Sequence, residues 1–139
     1  MASADDGFSV HPVGRVRTSL KTRAQAPLQG SEGAPEATLQ FGEDFSDAAT
    51  DLRPGAELLV LTWLHLADRR TLRVHPRGNP QSAEEGVFST RSPDRPNPIG
   101  VHRVTVIEAD GRSVRVRDLE AIDGTPIIDV KPVLSPRER

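Results

Sequence analysis

The fold this sequence predicts is all-β: a small single-domain barrel of six or seven strands with long proline-rich loops. Three observations lead there. Short segments rich in Val, Ile, Leu and Thr recur along the chain, each closed by Gly, Pro, Asn or Asp. Eleven glycines and twelve prolines in 139 residues argue against long helices. One segment, Arg112 to Leu119, alternates cleanly, with Val114 and Val116 on one face and Ser113, Arg115 and Arg117 on the other.

The elements follow in order. Residues 1–9 read as an N-terminal tail, although Phe8 to Arg17 already has strand character around the break His11-Pro12. Residues 21–51 are poor in apolar side chains and read as loops, with one short strand near Ala37 to Phe41. The turn signal Arg53-Pro54-Gly55 launches Ala56 to Leu66, the most apolar run, which suggests a buried strand; propensity alone leaves a helix open. Thr71 to Val74 predicts a short strand stopped at His75-Pro76. Pro76, Pro80, Pro93, Pro96 and Pro98 exclude a helix interior or a central strand over 76–98, apart from a short strand at Gly86 to Thr90. Ile99 to Glu108 predicts a strand, Ala109-Asp110-Gly111 a hairpin turn, and Arg112 to Leu119 its return. Asp123-Gly124-Thr125-Pro126 predicts another turn, Ile127 to Val130 the last strand, and 135–139 a C-terminal tail.

Composition excludes several classes of function. There is no cysteine, so disulfides, zinc fingers, iron–sulfur clusters and thiol nucleophiles are ruled out, and a cytoplasmic setting fits. The histidines at 11, 65, 75 and 102 show no metal-ligand spacing, and no metal is expected. No apolar run is long enough to span a bilayer, and no membrane partner is expected. No Gly-x-Gly-x-x-Gly, P-loop, Gly-x-Ser-x-Gly or His-Glu-x-x-His pattern is present. Eighteen basic and twenty acidic side chains give a net charge of −2, which lowers the prior for general nucleic-acid binding.

Two segments carry chemistry. In Gly86-Val-Phe-Ser-Thr-Arg-Ser-Pro-Asp-Arg-Pro-Asn-Pro-Ile-Gly100, prolines stiffen the backbone around Arg91 and Arg95, whose guanidinium forks could grip a carboxylate or phosphate. His102 follows this loop directly. In Glu120-Ala-Ile-Asp-Gly-Thr-Pro-Ile-Ile-Asp-Val-Lys-Pro132, Asp123 sits at a turn, while Asp129 and Lys131 share a strand face, as an ion pair or as part of a polar site.

Together these segments resemble the TsaA/TrmO family, whose pattern reads roughly GVFATRSPxRPNPIG followed by DGTPVxDIKPY. His11-Pro-Val-Gly-Arg-Val-Arg-Thr18 is similar to that family's opening strand, and His65 falls where the family closes a strand with His. The resemblance covers roughly residues 10–134. It implies a barrel that binds S-adenosylmethionine without a Rossmann fold, as a homodimer with the cofactor near the interface. It also implies N-methylation of threonylcarbamoyl-adenosine in tRNA. Carried over by motif, Arg91, Asp129 and His102 become candidate catalytic residues. Thr18, Ser19, Leu20, Arg91, Glu120, Ala121, Ile122 and Asp123 become candidate cofactor contacts. Departures bear on the acceptor: Gly55-Ala-Glu-Leu-Leu replaces the family's FSHLW, Val133 replaces a Tyr, and His102 stands where tRNA enzymes carry Ser. A diverged enzyme acting on a small-molecule nitrogen nucleophile, or a SAM-binding module without catalysis, is the alternative expectation. Should tRNA bind, the basic surface would be assembled from Arg69, Arg70, Arg73 and Arg77 of two subunits.

Overall fold

The computed structural model describes residues 7–27 and 33–135. The expected tails lie partly outside these, at 1–6 and 136–139. Eight strands run in chain order: β1 (Gly14–Arg17), β2 (Ala37–Phe41), β3 (Glu57–Trp63), β4 (Arg73–Val74), β5 (Glu85–Gly86), β6 (Ile99–Asp110), β7 (Ser113–Arg117) and β8 (Pro126–Pro132). Six of them close into a barrel in the order β1-β2-β7-β6-β3-β8, every neighbour antiparallel. The remaining two, β4 and β5, pair as a separate ribbon. Closure leaves the barrel strands no open edge. The all-β barrel expected from the sequence is the fold observed.

Alternation sets the barrel. Val16, Leu39, Val60, Val104, Val106, Val114, Val116 and Ile127 all point inward and are essentially inaccessible to water. Burying each such side chain is worth about 1.5–3 kcal/mol. The hairpin β6–β7 turns at Gly111, whose φ of 60° suits glycine at the tight corner, and pairs Asp110 with Ser113.

Three expectations change. Phe8 to Pro12 stays outside the sheet because Pro12 offers no amide, and Phe8 and Val10 remain exposed, whereas Val13 already donates to the Ile127 carbonyl at 2.8 Å. The run 56–66, by contrast, holds the strand expected of it: β3 is paired on both sides, to β6 and to β8, and its burial alternates. Gly86 to Thr90 is mostly a single 3-10 turn over Val87–Ser89, closed by Thr90 N–H on the Val87 carbonyl; only Glu85–Gly86 pairs, with Arg73–Val74. The segment Glu43–Ala49, read as loop, is also 3-10 and packs Ala49 into the core.

Candidate functional site

Beside the ends of β3 and β6 lies a cleft of about 850 Å³, walled by the loop before β6 and by residues 118–125. Its size falls in the usual range for small-molecule sites, about 300–1,000 Å³.

The proline-rich loop is a self-bonded scaffold. Ser92 N–H donates to Thr90 Oγ1 at 3.2 Å, and Asp94 N–H to Ser92 Oγ at 3.3 Å. The Arg95 guanidinium donates to the carbonyls of Ser92, at 2.7 Å, of Val87, at 2.6 Å, and of Thr90. Arg69 clasps the loop from outside, through the Pro96 carbonyl at 2.8 Å and Asn97 Oδ1 at 3.1 Å, while stacking over Trp63. The two arginines that looked equivalent in sequence therefore differ. Arg95 is spent on holding the loop; Arg91 lines the cleft and makes no hydrogen bond or ion pair with the described residues.

The facing wall is organised by a buried hydrogen-bond chain. Thr62 and Gly100 are register partners on the inner face of β3 and β6, and His102 is the next inward residue along β6. Because position 100 has no side chain, Thr62 Oγ1 meets His102 Nε2 across it at 2.7 Å. A Cβ built on Gly100 would lie 2.5 Å from that oxygen and 2.7 Å from that nitrogen. The other ring nitrogen, Nδ1, donates to Glu120 Oε1 at 2.5 Å. Thr62 and His102 are buried, whereas the Glu120 side chain retains 19% of its exposure and lines the cleft with Ala121 and Ile122. Thr62 was not foreseen; no motif marks it, because its partner is reached only across the sheet.

Asp123 has a different place. Its Oδ1 accepts Thr18 N–H at 3.1 Å and its Oδ2 meets Lys21 Nζ at 3.1 Å. Asp123 N–H in turn donates to the Leu20 carbonyl at 2.7 Å. Thr18, Leu20, Lys21 and Asp123 thus form a clamp next to the wall in sequence, and Thr18, Ser19, Leu20 and Asp123 are not among the residues that line the cleft. The Thr18 amide first and the Lys21 ammonium second hold the Asp123 carboxyl below the usual carboxylate range, against a smaller opposing effect of burial. A carboxyl lowered in the folded state stabilises fully above its unfolded value, about 3.9, and loses that contribution as pH falls through the folded value. Asp123→Asn is expected to cost about 1 kcal/mol at pH 7 in denaturant unfolding, with the gap to wild type closing as pH falls from the unfolded value through the lower folded one.

Asp129 lies outside the cleft. It is opposite Leu61 on the outer face, where it pairs with Lys131 Nζ at 3.0 Å and accepts Val130 N–H at 2.9 Å. Of the four arginines considered for a basic surface, Arg69 is engaged as above and Arg73 is paired with Glu84 at 3.0 Å. Among the described residues there is no group of His, Asp or Glu able to hold a metal ion, and no helix long and apolar enough to cross a membrane.

A closed antiparallel barrel bearing a rim cleft, with one unpaired guanidinium and a braced carboxylate, defines a small-molecule-binding barrel unrelated to doubly wound nucleotide folds. The chain belongs to the family described as the tRNA-methyltransferase O N-terminal domain, whose profile matches residues 15–137. It is 45% identical over 129 residues to a probable S-adenosyl-L-methionine-binding protein of Methanothermobacter thermautotrophicus, covering 93% of this chain and 92% of that one. It is 38% identical over 120 residues to an S-adenosyl-L-methionine-binding protein of Archaeoglobus fulgidus, covering 86% and 85% of the two. The crystal structure of TrmO from Pseudomonas aeruginosa superposes with a TM-score of 0.72 at 26% identity, over 92% of this chain. This chain spans 56% of that one.

Proposed function

We propose that the protein is an S-adenosylmethionine-dependent methyltransferase whose cofactor occupies the cleft, and that its acceptor is threonylcarbamoyl-adenosine in tRNA. The observation that carries the cofactor reading is the cleft's charge pattern. Arg91 has no partner among the described residues, Arg103 is neutralised by Glu57 at 2.6 Å, and Arg95 is committed to the loop. A free guanidinium is suited to a bidentate hold on an amino-acid carboxylate. Ile99, Val101, Ala121 and Ile122 supply apolar wall for the rest of the ligand. When bound, the cofactor supplies a methyl group on a sulfonium, open to in-line displacement. The chain's own contribution is alignment: the loop scaffold fixes Arg91, and the Asp123 clamp fixes the wall at 120–122.

The relatives' names support cofactor binding, and the family supports methyl transfer. That the acceptor is tRNA rests on the family description, and that it is threonylcarbamoyl-adenosine on the resemblance of the two motifs. A net charge of −2 and two committed arginines favour a smaller nitrogen nucleophile as the second reading. The test is incubation with methyl-labelled S-adenosylmethionine and tRNA that carries the threonylcarbamoyl group but lacks the methyl. Label on N6 of the modified adenosine supports the first reading. Label on small molecules only would move the acceptor, and cofactor binding without any transfer would leave a binding module.

The same reading includes a homodimer with the cofactor near its interface. What supports it is the outer face of β3 and β6, where Leu59, Leu61 and Trp63 lie half-buried beside Ile99 and Val101, exposed by 44% and 37%. Ile99 and Val101 also border the cleft, so a partner seated there would lie against the cofactor. Val101→Glu is expected to convert a dimer into a monomer by light scattering and to weaken cofactor binding at the same time. A dimeric Val101→Glu protein would remove this face from the interface.

A further inference from the structure

The Thr62–His102–Glu120 chain is left over by the reading above, which uses only the backbone wall at 120–122. It is built like a device for holding a carboxylate. Thr62 and His102 are buried, both ring nitrogens are occupied, and Glu120 Oε1 is taken by His102. Glu120 Oε2 has no partner among the described residues and belongs to a side chain that lines the cleft.

We propose that Glu120 is the residue that reads the positive charge of the cofactor's sulfur, with His102 as its positioning residue and Thr62 fixing the ring. This rests on the cofactor reading, not on the identity of the acceptor. An ammonium group asks for several hydrogen-bond acceptors, whereas a sulfonium has no N–H to give and needs only a nearby negative charge among apolar contacts. The cleft fits the second demand: Glu120 brings one carboxylate oxygen without a partner among the described residues into a cleft that Val101, Ala121 and Ile122 also line. Asp118, just after β7 with φ 72°, also lines the cleft without a partner among the described residues and is left for the ammonium. Arg91, Asp118 and Glu120 then answer the three charges of the cofactor one by one. Bracing Glu120 in advance avoids the cost of ordering a long side chain when the ligand arrives.

The consequence is discrimination between cofactor and product, which differ at that sulfur by one charge. Calorimetric titration of the full-length protein with S-adenosylmethionine and with S-adenosylhomocysteine measures it without any methyl acceptor. Wild type is expected to prefer the methionine form roughly tenfold. Glu120→Gln, which keeps the shape and can still meet His102, is expected to bring the two affinities within about twofold, chiefly by weakening the sulfonium form. His102→Gln is expected to fall between them, with thermal melting run alongside to confirm folding. Equal binding of both ligands by wild type overturns the proposal. So does a Glu120→Gln protein that retains the preference, or one that weakens both ligands equally, which would place the carboxylate on the ammonium. Binding of neither ligand by wild type overturns both this proposal and the cofactor reading. A preserved preference in a protein that methylates no tRNA leaves this proposal standing and removes only the acceptor.

Discussion

Gly100→Ala is expected to lower stability by about 2–3 kcal/mol and to weaken S-adenosylmethionine binding about as much as His102→Gln does. The backbone has ordinary extended geometry at this position, so no conformational strain is involved. The damage comes from space. The added methyl would enter the gap through which Thr62 Oγ1 and His102 Nε2 bond, at 2.5 and 2.7 Å from the two atoms. Neither can retreat easily. Thr62 is register-locked between β6 and β8, and His102 is held on its far side by Glu120. Separating them leaves a buried hydroxyl and a buried ring nitrogen without partners, which adds to the overpacking cost. Denaturant unfolding measures the loss, and a double-substitution cycle with His102→Ala identifies its source. Because both changes break one contact, the pair should cost clearly less than the two single costs together. Simple additivity would mean that the cost arises elsewhere in the barrel.

Arg91→Ala is the complementary case, with a large effect on binding and almost none on folding. Its guanidinium makes no bond with the described residues, so the substitution should leave stability within about 0.5 kcal/mol of wild type. Loss of a charge-assisted, two-pronged hold on a carboxylate should weaken S-adenosylmethionine about tenfold to a hundredfold. Arg95→Ala should reverse the pattern. It removes the donor shared by the Ser92, Val87 and Thr90 carbonyls and is expected to cost about 1–2 kcal/mol in unfolding. Titration calorimetry and unfolding on the same three proteins check both halves. An Arg91→Ala protein with wild-type affinity would displace the cofactor carboxylate from this loop.

Much of the barrel was legible in the residue pattern. Val114 and Val116 alternating with charged neighbours placed β7, and the run at 56–66, the most apolar of the chain, marked a strand before pairing settled that it was one. Motif resemblance brought Arg91, His102 and Glu120–Ile122 onto one list, and the cleft collects all of them. It also pointed to Thr18–Leu20, Asp123 and Asp129, of which the structure places Thr18, Leu20 and Asp123 in the clamp and Asp129 on the outer face. A motif records which residues recur together; it does not separate those that touch a ligand from those that hold the touching residues in place.

What the amino-acid sequence determined by itself was the class of fold, the rigid loop and the family, because alternation and proline act over a few neighbouring residues. Only the tertiary structure decided that Arg91 has no partner among the described residues while Arg95 is bonded, and that Thr62, His102 and Glu120 form one chain. The physical reason is closure. The period of a strand states which face is buried but not which strand lies beside it. Thr62 and His102, forty positions apart, meet only because β3 and β6 pair in a register that sets a glycine between them.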